Sequence, residues 1–352
     1  MSEESQSLVF SCPVPITNGD IVRLGHGSGG KMTANLIEKL FLPLIGNDIL
    51  NLLDDSALVN IDGRSLAITT DSYVVSPIFF PGGDIGSLAV HGTINDLAMR
   101  GAKPLFLAAA FILEEGLSME ELGAVVTSMQ KACLDAQVKL VAADTKVVNK
   151  GAADKLFITT TGFGLVETLP APGCNRAQVG DYILVSGDVG RHGIAIMSCR
   201  EGLDLETAIL SDSCPLYEMV ANMLADPTNV HCLRDITRGG LASVLNEIAT
   251  SSQVGIAVEE KSIPVHPEVK GVCELLGLDP LYVACEGRLV AFIAPESVDQ
   301  MLEIMNDGSI EKNAAIIGRV VADHKERVVL RSLIGGNRVL DKLSGEQLPR
   351  IC

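Results

Sequence analysis

The chain ends on a cysteine. Cys352 follows Pro349-Arg350-Ile351, and a folded domain rarely needs a thiol on its final residue. A chain end is mobile unless it is tied down, so Cys352 is expected on a movable arm. The thiolate is the reactive form, and the cation of Arg350 favours it while the terminal carboxylate opposes it. The bland alternative is an incidental surface cysteine. A prenyl anchor does not fit, because that modification takes a cysteine fourth from the end.

Acidic residues recur where such an arm could use them. Asp54-Asp55-Ser56-Ala57 runs into the apolar Leu58-Val59. Asp71 stands where the strand Leu66–Thr70 should stop. Asp96 shares an expected helix over 84–100 with His91 and Asn95. Asp144 ends a short buried strand, Lys139–Ala143, just before Lys146. Adjacent acids at a strand edge are costly to bury without a cation, and magnesium prefers one or two carboxylates plus phosphate oxygens and water. Loops at the ends of sheets are where sites are built. If these acids converge they make a magnesium–polyphosphate site; otherwise each is a solvated turn.

Two stretches suit an anion. Gly25-His26-Gly27-Ser28-Gly29-Gly30-Lys31 precedes a helical pattern from Met32 to Leu42. It fits Gly-x-Gly-x-x-Gly and nearly fits a P-loop, but Met32 replaces the Ser/Thr that binds magnesium, and no buried strand precedes it. Rossmann and Walker readings are therefore rejected. What remains is backbone able to approach a phosphate at a helix start, or a flexible turn. Arg234-Asp235-Ile236-Thr237-Arg238-Gly239-Gly240 joins two cations and a glycine pair to another helix start. Asp235 there caps the helix or orients an arginine. Glu286, before the apolar run Leu289–Ala294, is a candidate base or an exposed turn residue.

These residues need a large scaffold to hold them. The chain has 352 residues, 47% hydrophobic and 20% charged, and single cores stop growing at roughly 250–300 residues, which points to two domains. A polar lead-in over 1–20 carries Cys12. The first domain is expected over 21–169 and the second over 170–340, with a Pro/Gly-rich linker at 170–180. A tail over 341–352 follows, and at about 3.3–3.6 Å per residue its last eleven residues could span roughly 36–40 Å. The formal net charge of −17 argues against nucleic acid and anionic membrane as partners. The nine cysteines include no Cys-x-x-Cys pair and no zinc spacing, and read as mostly buried, reduced residues. The first residues lack the basic segment of a signal peptide, and no apolar run reaches about 18 residues. A soluble, cytoplasmic protein is expected.

Taken together, the motifs resemble the HypE hydrogenase maturation factors, in the superfamily with aminoimidazole ribonucleotide synthetase, selenophosphate synthetase and thiamine-monophosphate kinase. The matching stretches are 26–30, 54–57, 70–72, 91–104, 143–146, 235–240, 286–288 and 349–352. The long 91–104 motif and the terminal Pro-Arg-Ile-Cys are the specific ones. The resemblance implies an α/β (α+β) fold of two aminoimidazole-ribonucleotide-synthetase-like domains, with mixed sheets covered by helices, and a homodimer built through the N-terminal domains. It implies ATP with Mg2+ in the first domain, and a Cys352 thiol that receives a carboxamide from a HypF-type carbamoyltransferase. ATP-dependent dehydration to S-cyanide would follow, with delivery to iron on a HypC–HypD complex. By position, Asp55, Asp71, Asp96 and Asp144 would hold the metal and phosphates. Gly27, Gly29, Gly30, Asp54, Asn95 and Asp235 would bind the nucleotide. Lys146 would reach the γ-phosphate or the carboxamide oxygen, and Glu286 would be the base. The alternatives are a small-molecule kinase or synthetase of the same superfamily, and a non-catalytic module whose Cys352 carries a metal.

Overall fold

The computed structural model describes residues 21–202, 209–307, 313–345, 348 and 350–352. The expected lead-in over 1–20 with Cys12, and Pro349 of the terminal motif, lie outside the described residues.

The chain opens with α1 (Lys31–Leu36), a π-helical turn over Ile37–Phe41 and α2 (Leu42–Ile45), where the sequence predicts one continuous helix. A mixed sheet follows, in the order β1 (Ala57–Ile61), β2 (Arg64–Tyr73), then the later strand β7 (Leu156–Val166), β5 (Ala102–Glu114) and β6 (Lys139–Val148). A small hairpin, β3 (Phe79–Phe80) with β4 (Gly83–Asp84), leads into α3 (Ile85–Met99). Asp84 caps this helix, accepting from Gly86 N at 2.7 Å and from Ser87 N, while Ser87 Oγ returns a bond to Asp84. α3 is apolar on nearly every side, the mark of a buried helix. Its Ile85, Leu88, Ile94 and Leu97 are fully buried, each worth about 1.5–3 kcal/mol. α4 (Met119–Asp135), capped by Ser118, completes the helical side of this sheet.

The second sheet has seven strands, in the order β14 (Asn337–Leu340), β13 (Val328–Arg331), β10 (Gly255–Glu259), β12 (Ala315–Val321), β8 (Tyr182–Val185), β11 (Leu289–Ile293) and β9 (Val230–Asp235). Its helices are α5 (Arg191–Arg200), α6 (Tyr217–Met223), α7 (Gly240–Ser251), α8 (Pro267–Leu276) and α9 (Val298–Asp307). The end of α3 joins the two halves: Ala98 and Met99 share one core with Leu184, Leu216, Leu233 and Leu289. No helix among the described residues is long and apolar enough to cross a membrane.

Two strands differ from their sequence reading in ways that matter for the site. β6 does not stop at Ala143 but runs on through Asp144 and Lys146, and it is an exposed edge rather than a buried strand. β2 does not stop before Asp71 but carries it to Tyr73.

Candidate active site

β2, α3 and β9 deliver acids to one place. Asp55 precedes β1, Asp96 is on α3 and Asp235 ends β9. Each offers an oxygen lying within 4.8 Å of the others. With Asp71, Glu286 and Cys352 they line a cavity of about 210 Å³, along with Thr69, Arg234 and Arg238. Thr69 Oγ1 donates to Asp96 Oδ2 at 2.7 Å. Arg234 Nε lies 2.6 Å from Asp55 Oδ1, and Asp55 Oδ2 is buried with no hydrogen-bond partner.

This concentration of charge has an electrostatic consequence. Burial pushes the carboxyls of Asp55 and Asp96 well above the usual carboxylate range; neighbouring acids add to this, and Arg234 offsets part of it. Burial, with Asp71 nearby, lifts Asp235 to about 6. Several carboxyls so close in a dry site cannot all ionise cheaply. A bound cation relieves that conflict, and an oxygen-only donor set with an orphaned carboxylate oxygen fits a hard divalent ion such as magnesium.

Glu286 faces the same cavity from the loop before β11. It is 3% exposed, and its Oε1 has no partner. Burial raises its pKa well above the ordinary value, followed by the effects of Asp235, Asp71 and Asp212. Its backbone is pinned from both sides: Glu286 N donates to Asp212 Oδ1 at 3.0 Å, and Glu286 O accepts from Asn95 Nδ2 at 3.3 Å.

The C-terminal segment is docked rather than free. Cys352 O accepts from Val74 N at 3.0 Å and Arg350 O from Ser76 N at 3.2 Å. Ile351 is 4% exposed in the core that also holds Ile194, Val269 and Val283. This corrects the role expected of Arg350. Its guanidinium turns away from the thiol, to Asp154 at 2.7 Å, to Val74 O at 3.1 Å and over the ring of Phe157. The cation beside Cys352 is Arg238, which also lies 3.5 Å from Asp71 Oδ1. Burial raises the Cys352 thiol; Arg238 lowers it.

Other expected residues stand elsewhere or do other work. Asp144 and Lys146 pair with each other at 2.6 Å, 66% and 69% exposed, and neither lines the cavity. The reason is register. Asp144 lies beside Ala110 and Lys146 beside Ile112, on the outer face of the sheet, whereas Asp96 is on the helix behind the inner face. Asn95 spends its amide on backbone: it donates to Cys214 O and Glu286 O and accepts from Leu216 N. It ties the two halves together at the Glu286 loop. Asp54 lines the cavity beside Asp55, and it is also ion-paired with Arg100 and accepts from Cys174 N at 2.9 Å.

The glycines of the first loop approach their own chain. A Cβ on Gly29, whose φ is +76°, would sit 2.6 Å from Arg238 O, and one on Gly30 would sit 2.6 Å from Leu343 O; Gly27 has open space around it. The loop is a brace under the Arg238 turn. Arg234 and Arg238, read in the sequence as suited to an anion, pair with carboxylates: Asp55 and Glu247 for the first, Asp71 for the second. Asp212 and His192 went unread in the sequence. No local pattern marks them, because their partners are 74 and 159 residues away.

The chain matches the AIR synthase related protein family, through its N-terminal domain over residues 53–166 and its C-terminal domain over 178–331. It is 51% identical to the carbamoyl dehydratase HypE of Cupriavidus necator, over 98% of both chains. Among solved structures it is similar to a HypE–HypF complex (TM-score 0.83, 44% identity, 88% of this chain and 99% of that one). It is also similar to a hydrogenase maturation protein HypE in complex with ATP (TM-score 0.80, 48% identity, 93% and 98%).

Proposed function

The chain belongs to the HypE carbamoyl dehydratases of hydrogenase maturation, and from that premise we propose that it uses ATP to dehydrate an S-carboxamide carried on its own Cys352. The product is an S-cyanide, the source of a cyanide ligand for the active-site iron of a NiFe hydrogenase. The observation that carries this reading is the docking of Cys352 into a cavity that also holds Glu286 and the carboxylates of Asp55, Asp96 and Asp235.

The chemistry gives each residue a task. An amide oxygen leaves poorly; transfer of the γ-phosphoryl group of ATP to it makes phosphate the leaving group. Asp55, Asp96 and Asp235, with Asp71 beside them, would hold Mg2+, which when bound neutralises charge on the phosphates. One N–H proton leaves as the oxygen is phosphorylated, and Glu286, raised by burial and without a partner at Oε1, accepts the remaining N–H proton as the carbon–oxygen bond breaks, phosphate departs and the carbon–nitrogen triple bond forms. Arg238 lies against the terminal residue and holds the reacting group in place. The docked tail covers the cavity and keeps water from the activated carboxamide.

The same reading implies partners. A HypF-type carbamoyltransferase loads Cys352, and a HypC–HypD complex accepts the cyanide. A homodimer is supported by the outer face of the first sheet, where Phe106, Ile112 and Phe163 are exposed beside the open β6 edge with Leu140, Val141 and Val147; exposed apolar faces and bare edges call for cover. Asp144 and Lys146 lie on that edge, on the surface a second copy would cover. Removal of residues after Leu340 provides the test against the alternative of a free-substrate kinase. The truncated chain should lose all ATP-driven turnover; phosphorylation of a free small molecule by it would sink the reading.

A further inference from the structure

The stretch 209–216, between α5 and α6, forms neither helix nor strand, yet both halves of the molecule hold it. Ser211 N donates to Pro81 O at 2.8 Å, in the turn of the β3–β4 hairpin. His91 Nδ1, on α3, lies 3.0 Å from Ser213 Oγ. Asn95, one turn further along α3, closes its whole amide on the same stretch: Nδ2 donates to Cys214 O at 3.0 Å and Oδ1 accepts from Leu216 N at 2.8 Å. The hairpin and α3 thus fix this strap of second-half chain against the first half.

The strap then reaches both reacting partners. Ser211 Oγ lies 2.8 Å from His192 Nδ1, and His192 Nε2 lies 2.6 Å from Ile351 O, beside Cys352. A carbonyl only accepts, so Nε2 donates to it, and on a neutral ring Nδ1 accepts from Ser211. The next residue, Asp212, turns to the base. Its Oδ1 accepts from Glu286 N at 3.0 Å. A Cβ on Gly287 would overlap Asp212 O, so glycine at 287 lets the strap and the Glu286 loop meet backbone to backbone. The Asp212 side chain is fully buried; its Oδ2 makes no hydrogen bond and lies 4.0 Å from Arg288 Nε. Two adjacent residues therefore carry the hold on the thiol-bearing segment and the hold on the base.

We propose that Asp212 is a positioning residue for the dehydration: it holds the Glu286 loop at the distance from Cys352 at which Glu286 reaches the remaining N–H proton of the carboxamide. Asp212 does not line the cavity that receives Cys352, so it acts through Glu286. A base must stand within hydrogen-bond reach of the proton it takes, and a misplacement of about 1 Å costs about 10²-fold in rate. The inference rests on the dehydratase reading and deepens it.

The experiment is the single-turnover rate at which the full chain, carbamoylated on Cys352, loses water after ATP and magnesium are added, followed by intact mass. Asp212→Ala should slow it about 10²-fold, with the ATP concentration for half-maximal rate unchanged. Asp212→Asn keeps an oxygen for Glu286 N and should recover most of the loss. If Asp212→Ala does not fold, Asp212→Ser takes its place with the same expectation, because its hydroxyl ends one bond short of that N–H. An Asp212→Ala rate within a few-fold of the native chain overturns the proposal. Equal losses in the alanine and asparagine variants also overturn it, since they trace the effect to the charge facing Arg288. A native chain that loses no water sinks the dehydratase reading, and this role with it, a result distinct from a variant that matches an active parent.

Discussion

Asp71 and Asp144 both sit on strands of the first sheet, and only Asp71 lines the cavity that receives Cys352. Asp71 shares the inner face of β2 with Thr69 and Tyr73, whose side chains are buried there. Asp144 shares the outer face with Ala110 and Ile112 and is neutralised by Lys146 in solvent. Their surroundings act in opposite directions. Hydrogen bonds from Lys146 hold Asp144 below the usual carboxylate range, whereas burial lifts the carboxyls of Asp55, Asp96 and Glu286, which share the cavity with Asp71. An acid next to a strand becomes part of a site only when the pleat turns it inward, and one residue of register decides that.

The contrast can be broken at several points. Glu286→Gln keeps the shape of the inner set and removes its base. ATP-driven loss of water from the carbamoylated chain should slow 10²- to 10⁴-fold, with loading of Cys352 unaffected; a rate within a few-fold of the parent would move the base elsewhere. Arg100→Ala leaves Asp54 buried without its partner. Urea unfolding should register a loss of about 3–5 kcal/mol, and a loss below about 1 kcal/mol would mean the pair behaves like a surface one.

Acid should loosen the structure through His192. Burial lowers this imidazole from 6.5 to about 4, with the Ile351 carbonyl opposing. The folded state thus holds it neutral while the unfolded chain protonates near 6.5. Its contribution is complete above pH 6.5 and is lost as pH falls towards 4, amounting to about 2 kcal/mol at pH 5. Comparison with His192→Asn isolates the effect, since other titrating groups cancel; equal pH dependence of the two proteins would contradict it. The smallest effect belongs to the outer pair. At concentrations where the chain is a monomer, Asp144→Asn should leave its thermal midpoint where it was, and a clear drop there would show that the pair is not simply solvated.

Much of this was legible in the sequence for a physical reason. Asp55, Asp71, Asp96, Asp235 and Glu286 each interrupt or border an apolar run, and a charge there needs a partner. The core helix 84–100 was readable from local spacing. What sequence could not give was long-range. Arg350, a neighbour of Cys352 in the chain, is turned away from it, while Arg238, 114 residues earlier, faces it. Asn95 looks like a ligand but holds backbone, because a short polar side chain beside an interface serves whichever group the other half presents. The tail looked mobile because nothing local marks it; its donors are on Val74, Ser76 and α5.

The central claim is that Cys352 carries the reacting group into the acidic cavity. Its most direct measurement is intact-protein and C-terminal-peptide mass spectrometry of the carbamoylated chain after ATP and magnesium are added. The account predicts loss of one water, confined to the peptide that ends in Cys352 and absent without ATP. Water loss from another cysteine, or turnover that leaves the Cys352 carboxamide intact, would contradict it.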